Sequence, residues 1–241
     1  MDSDERILGI VGGTGPESTI DYYRSLVATW RRRQPDGSYP RVLINSIEAG
    51  RLFANLGTAD YAAAGADLGA AIAMLNAGGC QRALLASNAC HLAFDRIDPP
   101  PSIPLIHIVD TARDAASRAG YRRLGLLGTR FVVESDLYPS RFASAGMAIV
   151  VPTEQEREAV HAIYMGELLE GVVRDESRQA LASVVGAMRD RDGIDAVILG
   201  GTELALILTD PTCAGVPVLN TAQTHVDAAV DWLIGRSEGR R

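Results

Sequence analysis

The chain has 241 residues, of which 47% are hydrophobic, and 30 acidic residues outnumber 23 basic ones to give a net charge of −7. This composition argues against intrinsic disorder, and the missing basic stripe argues against nucleic acid as a partner. No stretch reaches the roughly 18 apolar residues of a membrane span, and the acidic start lacks the positive region of a signal peptide. We therefore expect a cytoplasmic protein with neither a nucleic-acid nor a membrane partner.

Strands and helices are predicted to alternate along the chain. Hydrophobic runs predict strands at residues 7–11, 41–47, 83–86, 104–108, 148–151, 196–199 and 216–219. Helical spacing of apolar residues predicts helices at residues 18–33, 60–77, 110–119, 154–173, 175–189 and 221–234. Residues 48–58 are expected to form a loop or short helix, and residues 210–215 a loop. Alternation of this kind is typical of parallel sheets that are covered by helices.

Two polar turns follow buried strands in this pattern. The first polar turn (residues 87–91, SNACH) follows the strand at 83–86, and the second polar turn (residues 200–203, GGTE) follows the strand at 196–199. A helix N-terminus presents unpaired N–H groups and a partial positive charge, so each turn could hold a carboxylate or phosphate. A glycine-rich turn at residues 12–16 lacks both the GxGxxG register and a Walker lysine, and a plain tight turn is the alternative there.

The same arrangement occurs twice. The segment RRLGLLGTRFV, from Arg122, repeats ILGIVGGTGPE; Gly12 lies 75 positions before Ser87, and Gly128 lies 73 positions before Gly201. We interpret this as an internal duplication, with a chance match of strand-turn-helix units as the alternative. It predicts an α/β fold of two similar halves with parallel sheets flanked by helices, a pseudo-two-fold relation and a cleft between them. The expected domains are residues 1–108 with 218–241, and residues 109–217.

The three cysteines, Cys80, Cys90 and Cys213, are widely separated, which favours free thiols in a reducing compartment. There is no CxxC pair, and the four histidines show no HxxxH or HExxH spacing. We therefore expect no metal site.

Six segments resemble, in the same order, those of the cofactor-independent aspartate/glutamate racemases. They are ILGIVGGTGPEST, LLASNACHLAFD, LLGTRFVVESDLY, IYMGELLEG, VILGGTELALIL and VPVLNTAQTHVDAAV, and they span nearly the whole chain. The resemblance implies a homodimer that needs no cofactor and acts on a small amino acid or carboxylate. It also implies that one cysteine from each half would exchange the α-proton on opposite faces of the substrate.

Both of those cysteines are replaced in this sequence, by Ser87 in the first polar turn and by Gly201 in the second. A helix N-terminus can lower a thiol pKa into a usable range, whereas a serine hydroxyl needs a partner base and glycine has no side chain. Racemisation by two thiols is therefore expected to fail. Further departures are Ala89, Val132 and Asn220, whereas the positions that match are Thr14, Asn88, His91, Thr129, Thr202, Glu203 and His225.

Other groups could supply the chemistry. If a helix begins near Ser87, Cys90 and His91 lie on its face as a displaced thiolate and an acid/base; the alternative, which we favour, is a small buried cysteine and a packed histidine. Ser87 itself is either a nucleophile or, as we favour, a helix N-cap. Glu203 is either a desolvated carboxylate base or a first-turn glutamate favoured by the helix dipole.

The remaining candidates would bind substrate. Thr129 and Thr202 could donate hydrogen bonds to a substrate carboxylate, and Arg51 and Arg130 could grip a second one. Substrate contacts at Thr14, Asn88, Ala89 and His91 are implied by the resemblance. The leading hypothesis is an isomerase or lyase with altered acid/base residues; the alternative is a catalytically silent binding or regulatory homologue.

Overall fold

Strands and helices alternate along residues 6–235, which are the residues that the computed structural model describes. The strands are β1 (Ile7–Gly12), β2 (Arg41–Ser46), β3 (Arg82–Leu85), β4 (Leu105–Ile106), β5 (Arg123–Leu127), β6 (Ala148–Val150), β7 (Ala196–Leu199), β8 (Thr212–Cys213) and β9 (Val216–Asn220). The α-helices are α1 (Pro16–Arg33), α2 (Ala49–Gly57), α3 (Tyr61–Ala77), α4 (Ile108–Ala119), α5 (Arg130–Val133), α6 (Leu137–Ala143), α7 (Glu154–Gly166), α8 (Asp175–Asp192), α9 (Leu204–Ile207) and α10 (Thr221–Leu233). Two 3-10 helices span Ala89–Arg96 and Leu168–Glu170.

The chain divides into two compact units. The first unit contains the residues up to Ile108 together with those from Ala222 onward, and the second unit is Val109–Thr221. We expected the return to the first unit at residue 218, but Val218–Asn220 of β9 pair with β7, a strand of the second unit. The last strand therefore belongs wholly to the second unit.

The first unit is built on a four-stranded parallel sheet with the strand order β2-β1-β3-β4. Its core contains Leu8 and Ile10 from β1, Tyr22 and Leu26 from α1, and Val226 from α10, all at most 1% exposed. The chain leaves the first unit after Ile108 and returns to it with α10. The apolar face of α10 covers the sheet and thus completes this core.

The second unit has the strand order β6-β5-β7-β9-β8, in which the first four strands are parallel and β8 is antiparallel to β9. Its core joins α7 and α8 to the sheet through Val160, Leu181, Met188 and Val197. Except for β8, the order repeats that of the first unit. The predicted α/β class with two mostly parallel sheets flanked by helices is confirmed.

Two local predictions need correction, and one open alternative is decided. The helix predicted at residues 154–173 ends at Gly166, because Glu167 has a φ of −129° and leaves the helical conformation. The 3-10 helix Leu168–Glu170 follows, and Gly171 ends it with a left-handed φ of 70°. Of the two alternatives for residues 48–58, a loop or a short helix, the structure has the short helix α2, whose N-cap Glu48 accepts hydrogen bonds from Gly50 N and Arg51 N. The loop predicted at residues 210–215 contains β8.

Close packing against α3 positions the segment that follows β3. A Cβ atom on Gly65 would collide with the backbone oxygen of Arg96, and one on Gly69 would collide with that of Asp98. The end of the 3-10 helix Ala89–Arg96 can therefore lie directly on α3 only because these two helix positions lack a side chain. No helix within residues 6–235 combines the length and the apolar character needed to cross a membrane.

Candidate functional site

In the first unit, two turns meet at the carboxyl ends of the neighbouring strands β1 and β3. Gly13 has a φ of 90° and its N–H donates to Thr19 Oγ1 at 2.9 Å, which holds the glycine-rich turn against the start of α1. Thr14 is buried, and its Oγ1 lies 3.4 Å from Cys90 Sγ. The glycine-rich turn and the first polar turn are thus in contact through these two side chains.

The first polar turn does not begin an α-helix at Ser87. The helix that follows is a 3-10 helix that starts at Ala89, and its N-cap is Asn88, which has helical backbone angles and does not cap with its side chain. The prediction that Ser87 is the N-cap is therefore wrong. Ser87, Asn88 and Ala89 are all at least 92% buried, so the turn is enclosed within the fold.

Both ring nitrogens of His91 are bound to backbone groups. Nδ1 donates to the carbonyl oxygen of Ser87 at 2.8 Å, and Nε2 accepts from the Ile108 N–H at 3.2 Å. A ring that donates at one nitrogen and accepts at the other is the neutral tautomer. Cys90 has no exposed surface. These contacts favour the packed interpretation of Cys90 and His91 over the thiolate with an acid/base partner.

His225 belongs to a buried aromatic cluster, in which its ring centroid lies 6.1 Å from that of His91 and 6.0 Å from that of Tyr22. Its Nε2 donates to the Ile106 carbonyl at 2.9 Å, and its Nδ1 accepts from the Tyr22 hydroxyl at 3.1 Å. Burial lowers the pKa of His225 to about 4, so the ring is neutral at pH 7. The ring of His107 packs against His91 with 4.5 Å between ring centroids. His107 and His225 thus pack against His91, which is itself hydrogen-bonded to Ser87 of the first polar turn.

In the second unit, the turns after β5 and β7 are also neighbours. A Cβ atom on Gly128 would lie 3.0 Å from the Gly200 carbonyl oxygen, so the two backbones touch. Thr129, which follows Gly128, is 2% exposed, and its hydroxyl has no hydrogen-bond partner within the described part of the chain. A buried hydroxyl without a partner is costly, which makes Thr129 a good candidate to bind a ligand.

Glu203 is buried among hydroxyl groups at the second polar turn. Its side chain is 2% exposed, and Oε2 accepts from the Thr202 hydroxyl at 3.0 Å and from the Tyr164 hydroxyl. Burial, followed by the negative charge of Glu203, raises the pKa of Tyr164 well above 10, so Tyr164 stays protonated and donates. The hydroxyl of Thr202 therefore donates to Glu203, whereas we expected it to donate to a substrate carboxylate.

Tyr164 was not among the predicted site residues. It lies on α7 and packs against Gly201: a Cβ atom on Gly201 would lie 2.9 Å from both Cζ and the hydroxyl oxygen of Tyr164. The aromatic ring thus fills the space that a side chain at position 201 would need. The signal in the sequence was the IYMGELLEG segment, which contains Tyr164 but does not show what the ring contacts.

The two arginines proposed to grip a carboxylate lie at the surface. The side chain of Arg51 is 69% exposed and forms an ion pair with Asp67 at 2.8 Å. Arg130 is 46% exposed and forms an ion pair with Glu158 at 2.6 Å. Each guanidinium thus already binds a carboxylate of its own unit. Residues 6–235 contain no group of three or more His, Cys, Asp and Glu side chains placed to hold a metal ion.

Comparison with known proteins gives one consistent result. The profile of the Asp/Glu/hydantoin racemases matches residues 11–229. The structure of a candidate Asp/Glu racemase from Yersinia pestis is 29% identical with a TM-score of 0.84, over 95% of this chain and 99% of that one. An aspartate racemase homologue from Pyrococcus horikoshii is also 29% identical, with a TM-score of 0.80 over 95% and 99% of the two chains.

The fold is shared more widely than the sequence. The aspartate racemase of Picrophilus torridus is only 19% identical, yet it superposes with a TM-score of 0.77 over 95% of this chain and 94% of that one. The family profile covers most of the sequence, and the turns at the strand ends fall within the matched residues. The chain therefore belongs to the Asp/Glu/hydantoin racemase family.

Proposed function

We propose that this protein is a cofactor-independent isomerase or lyase that moves a proton at the carbon next to the carboxylate of a small amino acid or dicarboxylate. The observation that carries the proposal is the buried carboxylate of Glu203 at the end of β7, beside the turn that holds the unpartnered hydroxyl of Thr129. A base and a hydrogen-bond donor on neighbouring strand ends suit a substrate that carries both an acidic proton and an anion.

Glu203 is the acid/base group of this proposal because the other candidates are poorly suited. Ser87 has no base bound to its hydroxyl among residues 6–235, and Gly201 has no side chain. His91 holds backbone groups with both nitrogens. Glu203 uses Oε2 for its two hydroxyl donors and accepts no hydrogen bond at Oε1 from the described residues. Oε1 is therefore available to accept a proton.

Substrate binding is assigned mainly to the second unit. Thr129 offers a hydroxyl that is buried and unpartnered, and we propose that it donates to the substrate carboxylate. Thr14, Asn88 and Ala89 at the first unit's turns stay predicted substrate contacts. Arg51 and Arg130 would have to leave Asp67 and Glu158 before they could bind a substrate, so we give them no part in the proposal.

The test is proton NMR in D2O with each enantiomer of aspartate and of glutamate. Proton abstraction by Glu203 predicts loss of the α-proton signal. A deuteron that returns from the side of Glu203 retains the configuration, whereas a deuteron that returns from the opposite side inverts it and would indicate an isomerase. A new product would indicate a lyase. Glu203→Gln should abolish the change, whereas Glu158→Gln, which removes an exposed carboxylate, should not.

A silent binding protein is the second candidate, because the structure locks Cys90 and His91 into packing contacts. Isothermal titration calorimetry with the same four amino acids separates the two. Saturable binding without exchange in D2O would support a binder and overturn the enzymatic proposal. Absence of both would overturn the assignment of aspartate and glutamate as ligands.

A homodimer is also part of the proposal. The first unit exposes Ile20, Tyr23 and Tyr39 to 50%, 49% and 60%, and these side chains line a surface groove of about 500 Å³. Exposed aromatic and aliphatic side chains in one patch are typical of an association surface. Light scattering after size exclusion should give twice the mass of 25.7 kDa, and Tyr23→Glu should reduce it to the monomer.

A cytoplasmic location is proposed as well. All three cysteines, Cys80, Cys90 and Cys213, are free and buried. Burial raises the pKa of the Cys80 and Cys213 thiols, which disfavours the thiolate that forms disulfides. Free thiols fit a reducing compartment. Fractionation of the cells that make the protein tests this directly.

A further inference from the structure

Tyr164 contacts two residues that matter for the acid/base chemistry, Gly201 and Glu203. Its ring lies against Gly201, where the resemblance to the racemases expects a cysteine, and its hydroxyl donates to Glu203 Oε2. Tyr164 is itself 5% exposed, and it reaches both residues from α7, a helix far away in the sequence. Tyr164 thus contacts both Gly201, which has no side chain, and the carboxylate of Glu203 two residues later.

We propose that Tyr164 is a positioning residue that fills the place of the missing second thiol and holds the Glu203 carboxylate as the base that replaces it. This inference rests on the proposed function. Two donors, Tyr164 and Thr202, bind the same oxygen of Glu203 and fix the orientation of the carboxylate. The free rotation of a glutamate side chain is thereby removed before substrate arrives.

The proton transfer that this arrangement supports is balanced without a further reactant. Glu203 Oε1 takes the proton from the substrate Cα, so an O–H bond forms as the C–H bond breaks, and the electron pair delocalises into the substrate carboxylate. Tyr164 and Thr202 keep their own protons throughout. The carboxylic acid of Glu203 then exchanges with solvent and returns a proton to Cα in the reverse step.

The surroundings of Glu203 limit the alternatives. No Lys, Arg or His among residues 6–235 forms an ion pair or hydrogen bond with the carboxylate. Its orientation therefore depends on the two hydroxyl groups. If Tyr164 only filled space, its ring would be sufficient and its hydroxyl would not matter, which a phenylalanine at this position can decide.

The first experiment follows the tyrosine rings by NMR with 13C at Cζ. The protein has seven tyrosines, and Tyr164→Phe identifies the signal of Tyr164 by its loss. In Glu203→Gln we expect that signal to shift and Tyr164 to ionise at lower pH, because the negative charge that raises its pKa is gone. Glu158→Gln is the matched control and should change neither. An unchanged Tyr164 signal in Glu203→Gln would overturn the contact.

The second experiment measures α-proton exchange in D2O as a function of substrate concentration. Tyr164→Phe should lower the rate at saturation by about 10- to 100-fold and leave KM unchanged, because a lost hydrogen bond to a charged base affects proton transfer rather than binding. Tyr138→Phe removes another buried tyrosine hydroxyl of the second unit and should leave the rate at the wild-type level.

The two experiments separate the inference from the function on which it rests. If Tyr164→Phe exchanges at the wild-type rate, the positioning role is overturned while the proposed function stands. If the wild-type protein exchanges no α-proton, the proposed function fails, and the 13C shifts still decide whether Tyr164 holds Glu203.

Discussion

The ring of Tyr164 lies in the space that any side chain at Gly201 would enter. The hydroxyl oxygen and Cζ of the tyrosine are each 2.9 Å from the position of a Cβ atom at residue 201, which is closer than non-bonded carbon and oxygen atoms approach in folded proteins. The two residues are 37 positions apart in the sequence. Glycine at one position and a large ring at the other are therefore a matched pair.

Gly201→Ala should lower the free energy of unfolding by about 1–3 kcal/mol, because the added methyl displaces a buried ring that is hydrogen-bonded to Glu203. In a Tyr164→Ala background the same change should cost almost nothing. Urea unfolding of the two single variants and the double variant measures the coupling. Gly166→Ala, where no atom lies within 4 Å of the added methyl, is the control. Additive effects would contradict the overlap.

Gly65→Ala should destabilise the first unit more severely, by about 3 kcal/mol or more, because the methyl meets the backbone oxygen of Arg96 and not a movable side chain. The matched control is Gly57→Ala at the end of α2, where space is open. Thermal unfolding of both variants checks this prediction. Equal midpoints would mean that the 3-10 helix can move away from α3 at little cost.

Acid should destabilise the first unit through His225. Its pKa is about 4 in the folded state against an ordinary value of 6.5, so the unfolded chain binds the proton first. The contribution of the neutral His225 to the free energy of unfolding is fully present above about pH 6.5. It is lost as the pH falls toward 4, which lowers the free energy of unfolding by roughly 3 kcal/mol in total. Urea unfolding between pH 7 and pH 4 should show this loss in the wild type and a smaller one in His225→Gln. Parallel curves for the two proteins would refute the assignment.

The cysteines should resist a thiol reagent such as DTNB in the native protein at pH 7, because Cys80, Cys90 and Cys213 are all buried. In urea, three thiols per chain should react. Cys90→Ala identifies the contribution of Cys90. Rapid labelling of one native thiol that disappears in Cys90→Ala would instead support a reactive thiolate in the first polar turn.

Hydrophobic patterning was sufficient to predict the α/β class and the position of most elements. The runs at β1, β3 and β7 are short and apolar, and glycine or small polar residues follow them. This pattern is typical of a buried strand that ends in a turn. The end of α7 was missed because a helical pattern of apolar residues continues through residues 167–173. In the structure Glu167, with a φ of −129°, already leaves the helix, and the residues after it form a separate 3-10 helix.

The site was less predictable because its contacts are distant in sequence. The turns themselves could be placed, since they follow strands. The partner of Glu203 lies on α7, 39 positions earlier, and the Nε2 of His91 binds an N–H group 17 positions later. Local spacing also suggested an α-helix at Ser87, whereas a 3-10 helix begins at Ala89 and changes which side chains share a face.

The return of α10 to the first unit has a consequence for biosynthesis. The second unit is one continuous segment, Val109–Thr221, so all of it is synthesised before α10. Leu8 and Ile10 of the first unit precede the second unit in the sequence, yet Val226 and Val230, which pack in the same core, are synthesised only after it. During translation one apolar face of the first unit's sheet therefore stays uncovered until the second unit and α10 have been synthesised.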